Sequence, residues 1–128
     1  MLIALTFANS SLEILKTGES CDKSPSFNIT SFVVNPFPPG NSEQYIVTFS
    51  GIFLSKETVH QIYIGQRKGT ENWHYVYQTV DKTYAKGATE TYYISLQAPA
   101  IKGPYTDQIT LHRSDFSSFA CWQYNYVI

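Results

Sequence analysis

The sequence predicts an all-β fold, an antiparallel β-sandwich of about seven strands. Three observations carry that expectation. Short segments rich in β-branched and aromatic residues recur along the chain with period-two alternation. Stretches dense in Pro, Gly, Asn, Asp and Ser separate them at intervals of roughly ten residues. No long window carries the 3.6-residue apolar period with helical caps.

Each element follows in order. Phe27 to Val34 is the first core strand, and N-P-F-P-P-G, Asn35 to Gly40, ends it. Gln44 to Phe53 is the second. Thr58 to Ile64 is the third, closed by Gly65 and the basic pair Arg67-Lys68. Trp73 to Val80 and Thr89 to Leu96 follow, joined by D-K-T-Y-A-K-G-A. A-P-A-I-K-G-P breaks that run before Tyr105 to His112, and Phe119 to Ile128 is the seventh strand. The chain has 128 residues, the size of one domain. Its segments differ in sequence, and no linker divides it.

A formal net charge of −1 with scattered Lys and Arg gives no electrostatic case for nucleic acid or an anionic membrane. Charged residues are 15% of the chain against about 25% in typical domains. Aromatic residues reach 16%, including ten tyrosines and eight phenylalanines. That amphipathic surface needs a wide core or an apolar ligand cavity between the sheets. No G-x-S-x-G, H-E-x-x-H or Gly-rich phosphate loop is present, and the acidic residues are dispersed. The expectation is a non-enzyme without cofactor or metal.

Residues 1–20 read as the remnant of a secretory signal and an N-terminal arm. The apolar run Leu2 to Ala8 allows cleavage after Ala8 but lacks a basic leader; the alternative is a retained first strand, L-I-A-L-T-F. Asn9-Ser10-Ser11 and Asn28-Ile29-Thr30 are N-glycosylation acceptors, so Asn9 and Asn28 are candidate glycan sites. Cys21 and Cys121 are the only cysteines, and no C-x-x-C exists. A nucleophile or metal ligand would need help from His60, His74 or His112, none of which has a carboxylate beside it in sequence. A disulfide is the favoured reading and a buried free thiol the alternative. Alternation turns Trp122 to the face opposite Cys121.

Several pieces then stand in a recognisable order. Cys21 is followed by I-T-S-F-V-V-N-P-F-P-P-G, Ile29 to Gly40, and by Y-I-V-T-F-S-G, Tyr45 to Gly51. A-P-A-I-K-G-P-Y precedes a strand, and Cys121-Trp122 with Ile128 ends the chain. Over residues 21–128 this resembles the ML family of secreted lipid-recognition domains. The resemblance implies one domain over 21–128, an immunoglobulin-like seven-stranded antiparallel β-sandwich whose two sheets splay around an apolar cavity and its ligand, and a disulfide joining Cys21 to Cys121. It implies a sterol or phospholipid carrier working in the secretory pathway, extracellular or in the lysosomal or vacuolar lumen. Such a carrier is a monomer in transient contact with membranes or a lipid-accepting protein. The further disulfides usual in these carriers are absent.

Alternation assigns the cavity lining. The resemblance sets Phe32 and Val34 on inward positions, and Asn28 is then exposed. Tyr45, Val47 and Phe49 form the next inward set. In Thr58 to Ile64, alternation puts His60, Ile62 and Ile64 on one face and Val59 and Tyr63 on the other, which leaves the inward face open, and Ile62 alone is assigned to the cavity. Trp73, Tyr75 and Tyr77 share a face and form one aromatic wall, with a tyrosine-rich surface as the alternative. The resemblance places Ile101 and Tyr105 at the ligand entrance around Gly103-Pro104; a plain hairpin is the alternative. Two other functions remain open: a lipid-presenting cofactor of a receptor or hydrolase, and a non-lipid adhesion or binding module with a filled core.

Overall fold

The computed structural model describes residues 16–128. The Ala8 cleavage point and the Asn9 acceptor lie outside the described residues. Eight strands follow in chain order: β1 Glu19–Ser20, β2 Phe27–Asn35, β3 Gln44–Phe53, β4 Glu57–Lys68, β5 His74–Tyr84, β6 Thr89–Gln97, β7 Pro104–His112 and β8 Ser118–Val127. Seven are the strands read from the sequence; β1 is a short addition. All pair antiparallel, in a five-stranded sheet ordered β1-β8-β7-β4-β5 and a three-stranded sheet ordered β2-β3-β6. The fold is an all-β, immunoglobulin-like sandwich.

Alternation places the core. In β3, Tyr45, Val47, Phe49 and Phe53 are buried between the sheets while Ile46 faces out. In β2, a bulge between Ile29 and Ser31 changes the phase, so Phe27 and Ile29 point inward with Phe32 and Val34. Asn28 is exposed on the opposite face. The same device acts in β4. A bulge between Val59 and Gln61 lets Val59, Ile62 and Ile64 all face the core. Strict alternation had set Val59 against the two isoleucines.

The filling of the space between the sheets corrects one expectation. Phe32, Val47, Phe49 and Ile62 are 0% exposed, so no water-sized probe reaches them from outside or from within. None therefore lines an open void. Phe32 stacks between Phe49 at 5.5 Å and Trp122 at 5.4 Å, and Phe49 lies 5.2 Å from Tyr92. Large rings on both inner faces fill the ~10 Å between packed sheets. The apolar cavity expected at these positions is occupied by their own side chains.

The strand β4 also runs past its expected end. Gly65 lies inside it, paired with Tyr75 and Gln108. A Cβ on Gly65 would stand 2.8 Å from the Tyr75 ring and 3.1 Å from Trp73. Close approach of the rings, and not a turn, is what requires glycine there.

Cys21 and Cys121 form a disulfide, with Cα atoms 5.0 Å apart. Cys21 N–H donates to Cys121 O at 3.0 Å beside it. Trp122 turns inward, and its Nε1–H donates to Thr17 O at 2.8 Å. Thr17 N–H in turn donates to Phe32 O at 2.8 Å. Residues 16–20, read as arm, thus close the β2/β8 edge of the sandwich.

Candidate functional site

Five strands facing three leave an overhang. At one end β6 closes on β5, where Tyr84 Oη donates to Glu90 at 2.8 Å; at the other end a cleft stays open between β6 and the β4–β5 pair. Val76 pairs with inward-facing Ile64, so it points to the inner side, yet it is 54% exposed. On the opposing sheet Leu96 pairs with inward-facing Tyr45 and is only partly buried. Ile64, Val76 and Leu96 form the apolar floor of a cleft of about 240 Å³, with Gln66, His74 and Gln97 at its rim. An apolar floor under a few polar groups is the usual make-up of a small-molecule site.

Gln66 connects this rim to a polar cluster inside the sandwich. Asp107, on the inner face of β7, is fully buried. Its Oδ2 accepts from Tyr45 Oη at 2.5 Å and from Tyr124 Oη at 2.8 Å. Its Oδ1 accepts from Tyr126 Oη at 2.8 Å and Gln66 Nε2 at 3.2 Å. Gln66 Nε2 also donates to Tyr126 Oη at 3.0 Å. Four donors fill the four acceptor positions of one carboxyl group. Burial pushes the Asp107 carboxyl above the usual carboxylate range, against the pull of these donors. Burial first, and then the charge of Asp107, raise all three tyrosines well above the usual phenol range.

This cluster was missed in the sequence, although a signal existed. Tyr105, Asp107, Ile109 and Leu111 share one strand face, which places an acid in an otherwise apolar series. Tyr124 and Tyr126 repeat at the same period in the next strand. Another pair is hidden by sequence separation: His60 Nδ1 lies 2.5 Å from Asp81 Oδ1 at the β4–β5 bulge, on the outer surface.

The expected site residues divide into three groups. Phe32, Val34, Tyr45, Val47, Phe49 and Ile62 come together in the core. Tyr75 and Tyr77 do not join them. They pair with outward-facing Gly65 and Tyr63, and are 47% and 59% exposed. The aromatic wall exists, with Trp73 stacked on Tyr75 at 6.3 Å, but it stands outside the five-stranded sheet. Ile101 and Tyr105 separate. Tyr105 is buried and stacks on Tyr126 at 5.8 Å, while Ile101 is 67% exposed in the β6–β7 loop. One bond joins them, from Tyr105 Oη to Ile101 O at 2.7 Å. Among the described residues, no group of three His, Cys, Asp or Glu side chains is placed to hold a metal ion.

Neither a protein-family model nor a curated protein sequence matches this chain. Solved structures do match its fold. The crystal structure of a Niemann-Pick type C2 protein from Japanese carpenter ant aligns with a TM-score of 0.67 at 7% identity, over 88% of this chain and 99% of that one. The crystal structure of the C-terminal domain of wzt aligns with a TM-score of 0.65 at 10% identity, over 88% and 80% of the two chains. At such identities the likeness is one of fold: this chain shares the two-sheet sandwich architecture of the Niemann-Pick type C2 protein.

Proposed function

We propose that this chain is a lipid-binding domain that holds a sterol or phospholipid non-covalently and transfers it without chemistry. The observation that carries the reading is the β5–β6 cleft, an apolar floor left open between the edge strands of the two sheets. Each methylene buried there contributes about 0.8 kcal/mol, so binding needs no strong polar contact. Deeper entry between the sheets requires β6 to move away from β4 and the packed rings to shift. The polar rim, Gln66 and His74, then stays with the headgroup or sterol hydroxyl at the mouth. The fold shared with a Niemann-Pick type C2 protein supports this reading, as does the resemblance to lipid-recognition domains. The disulfide fits an oxidising compartment, secreted or in the lysosomal or vacuolar lumen. The working form is a monomer that meets a membrane or accepting protein at the cleft.

The filled core favours a second reading, a β-sandwich binding module that takes no lipid. One experiment separates the two. Native mass spectrometry of the purified protein, with lipid extraction, is followed by titration with a fluorescent sterol and a fluorescent phospholipid. Lipid carriage predicts uptake of at least one probe and its loss in Val76→Asp and Leu96→Asp with folding retained. No co-purified lipid and no uptake of either probe would leave the binding module as the function.

A further inference from the structure

The outer face of the five-stranded sheet carries a second groove, of about 360 Å³, on the far side of β5 from the cleft. Its lining joins Tyr75 and Tyr77 of β5 and Tyr63 of β4 to Gln108, Thr110 and His112 of β7. Register explains the assembly. Tyr63 is paired with Tyr77 on one side and Thr110 on the other, and Gly65 with Tyr75 and Gln108. The six side chains therefore project from three adjacent strands onto one surface. No Asp, Glu, Lys or Arg lines it.

The rings are held, and do not merely lie exposed. Tyr63 stacks on the His112 imidazole at 3.8 Å and meets Tyr77 edge-on at 4.5 Å. Gly65 forms the floor that lets Tyr75 lie close to the sheet. The polar groups are oriented too. His112 Nδ1 lies 2.9 Å from Phe116 O, which can only accept, so Nδ1 carries the proton. In the neutral ring Nε2 then accepts from Thr110 Oγ1 at 2.8 Å, which leaves the Thr110 oxygen as an acceptor toward the groove. The Gln108 amide makes only long contacts, 3.5 Å to Gln123 Oε1 and 3.7 Å to Cys21 Sγ, and so remains available to a ligand.

We propose that this groove binds a neutral oligosaccharide. A pyranose ring has an apolar C–H face and a rim of hydroxyls that both donate and accept. The exposed faces of Tyr75 and Tyr77 match the first, and the Gln108 amide and Thr110 hydroxyl match the second. An aliphatic chain would leave the Gln108 amide desolvated with only its long contacts. An anionic ligand would find no cation among the lining residues. The groove is independent of the lipid cleft, and either can fail without the other.

The test is calorimetric titration of the disulfide-bonded chain with laminarihexaose, cellohexaose, chitohexaose and mannohexaose. At least one should bind. Tyr75→Ala and Tyr77→Ala should each weaken it by about tenfold, as expected for losing one stacked ring. Their thermal midpoints should fall only slightly, because both side chains are about half exposed and each gives up one surface ring contact. Gly65→Ala should weaken binding as well, by lifting the Tyr75 ring. Failure of all four sugars to bind would overturn the proposal, as would binding that survives the Tyr75→Ala/Tyr77→Ala double variant. Self-association of the wild type that Tyr77→Ala abolishes would assign the face to a second copy of the chain and overturn it equally.

Discussion

Replacing Asp107 by Asn tests the buried cluster most directly. The side chain keeps its shape and one carbonyl acceptor, but one oxygen becomes an NH₂ donor. That donor faces two other donors, either the hydroxyls of Tyr45 and Tyr124 or the Tyr126 hydroxyl and the Gln66 amide. At least one donor is stranded in a site closed to water, since Tyr45 and Tyr124 are 1% and 2% exposed. Stranding one buried donor costs about 1–3 kcal/mol. Asp107→Ala would strand both fully buried hydroxyls, for about 2–6 kcal/mol by the same reasoning. Either is a large part of the ~5–15 kcal/mol stability of a domain.

The pH dependence decides what holds the carboxyl. Burial raises its folded-state pKa above the ordinary value of 3.8. The folded chain then keeps the proton longer than the unfolded chain does. The stability this gives is fully present below the ordinary value and is lost as pH rises through the folded pKa. Asn does not titrate, so the cost of Asp107→Asn should shrink from pH 4 upward, by about 1.4 kcal/mol for each unit of elevation. Urea denaturation of both proteins from pH 4 to neutrality measures it. A cost that grows with pH would mean that the four donors outweigh burial and hold an ionised carboxylate, and the reasoning would be refuted.

Other outcomes follow from the same structure. Reducing Cys21–Cys121, which spans 100 residues, should lower stability by up to about 4–5 kcal/mol in chain-entropy terms, read as a fall in the urea midpoint; no fall would show that the bridge constrains nothing. Tyr105→Ala should cost about 3–5 kcal/mol because the ring is buried against Tyr126, whereas Ile101→Asp, in the exposed loop, should leave the midpoint unchanged. Gly51→Ala would set a methyl 2.4 Å from Asn28 O and 2.6 Å from the Phe27 ring, and denaturation should show a loss of about 1–3 kcal/mol. Glu57 is held below the usual carboxylate range, chiefly by its bidentate bonds from Arg113 at 2.8 and 2.7 Å. Its stabilisation is therefore present above its ordinary value of 4.5 and lost as pH falls through the folded pKa, so Glu57→Gln should flatten the acid limb of the stability profile.

The strands were legible because period-two alternation is strong wherever one face is buried, as along Tyr45, Val47 and Phe49. Two kinds of feature were not. Bulges add a residue that no propensity announces, and so alternation alone opposes Val59 to Ile62 and Ile64 and leaves the inward face of that strand undecided. Sidedness was the other. Tyr75 and Tyr77 alternate as clearly as Tyr45 and Val47, and alternation states which residues share a face without stating which face is covered. Only the pairing of Tyr77 with outward-facing Tyr63 settles it. The cavity failed for a related reason. Aromatic content fixes how much surface must be placed, but the same rings can line a void or fill it. The Asp107 cluster depends on three tyrosines from β3 and β8 converging on β7, a meeting between sheets that no local pattern encodes.

The two proposed sites meet at one strand, and the topology explains why. A three-stranded sheet cannot cover a five-stranded one, so the outermost strands of the larger sheet lack a partner layer. At one edge β1 has two residues, and residues 16–17 reach across to β2, so little is left bare. At the other, β5 has eleven residues, and Val76 on its inner face stays 54% exposed across the cleft from Leu96. An edge strand of that length is an aggregation hazard unless its sequence counters it. Lys82 and Asp81 supply charge at one end of β5, but the stretch from Tyr75 to Tyr77 supplies none. Exposed apolar surface on both faces of one uncharged edge segment is poorly explained by stability alone, since Lys or Thr there would solvate the edge at no cost to the core. Ligand contact gives both faces a reason. The inner face, with Val76 beside Leu96, suits hydrocarbon; the outer face, with tyrosines beside an amide and a hydroxyl, suits a polyol. Substituting the two faces separately, Val76→Asp on one side and Tyr77→Ala on the other, should therefore abolish different bindings in the same fold. A single loss common to both variants would point instead to distortion of β5 itself.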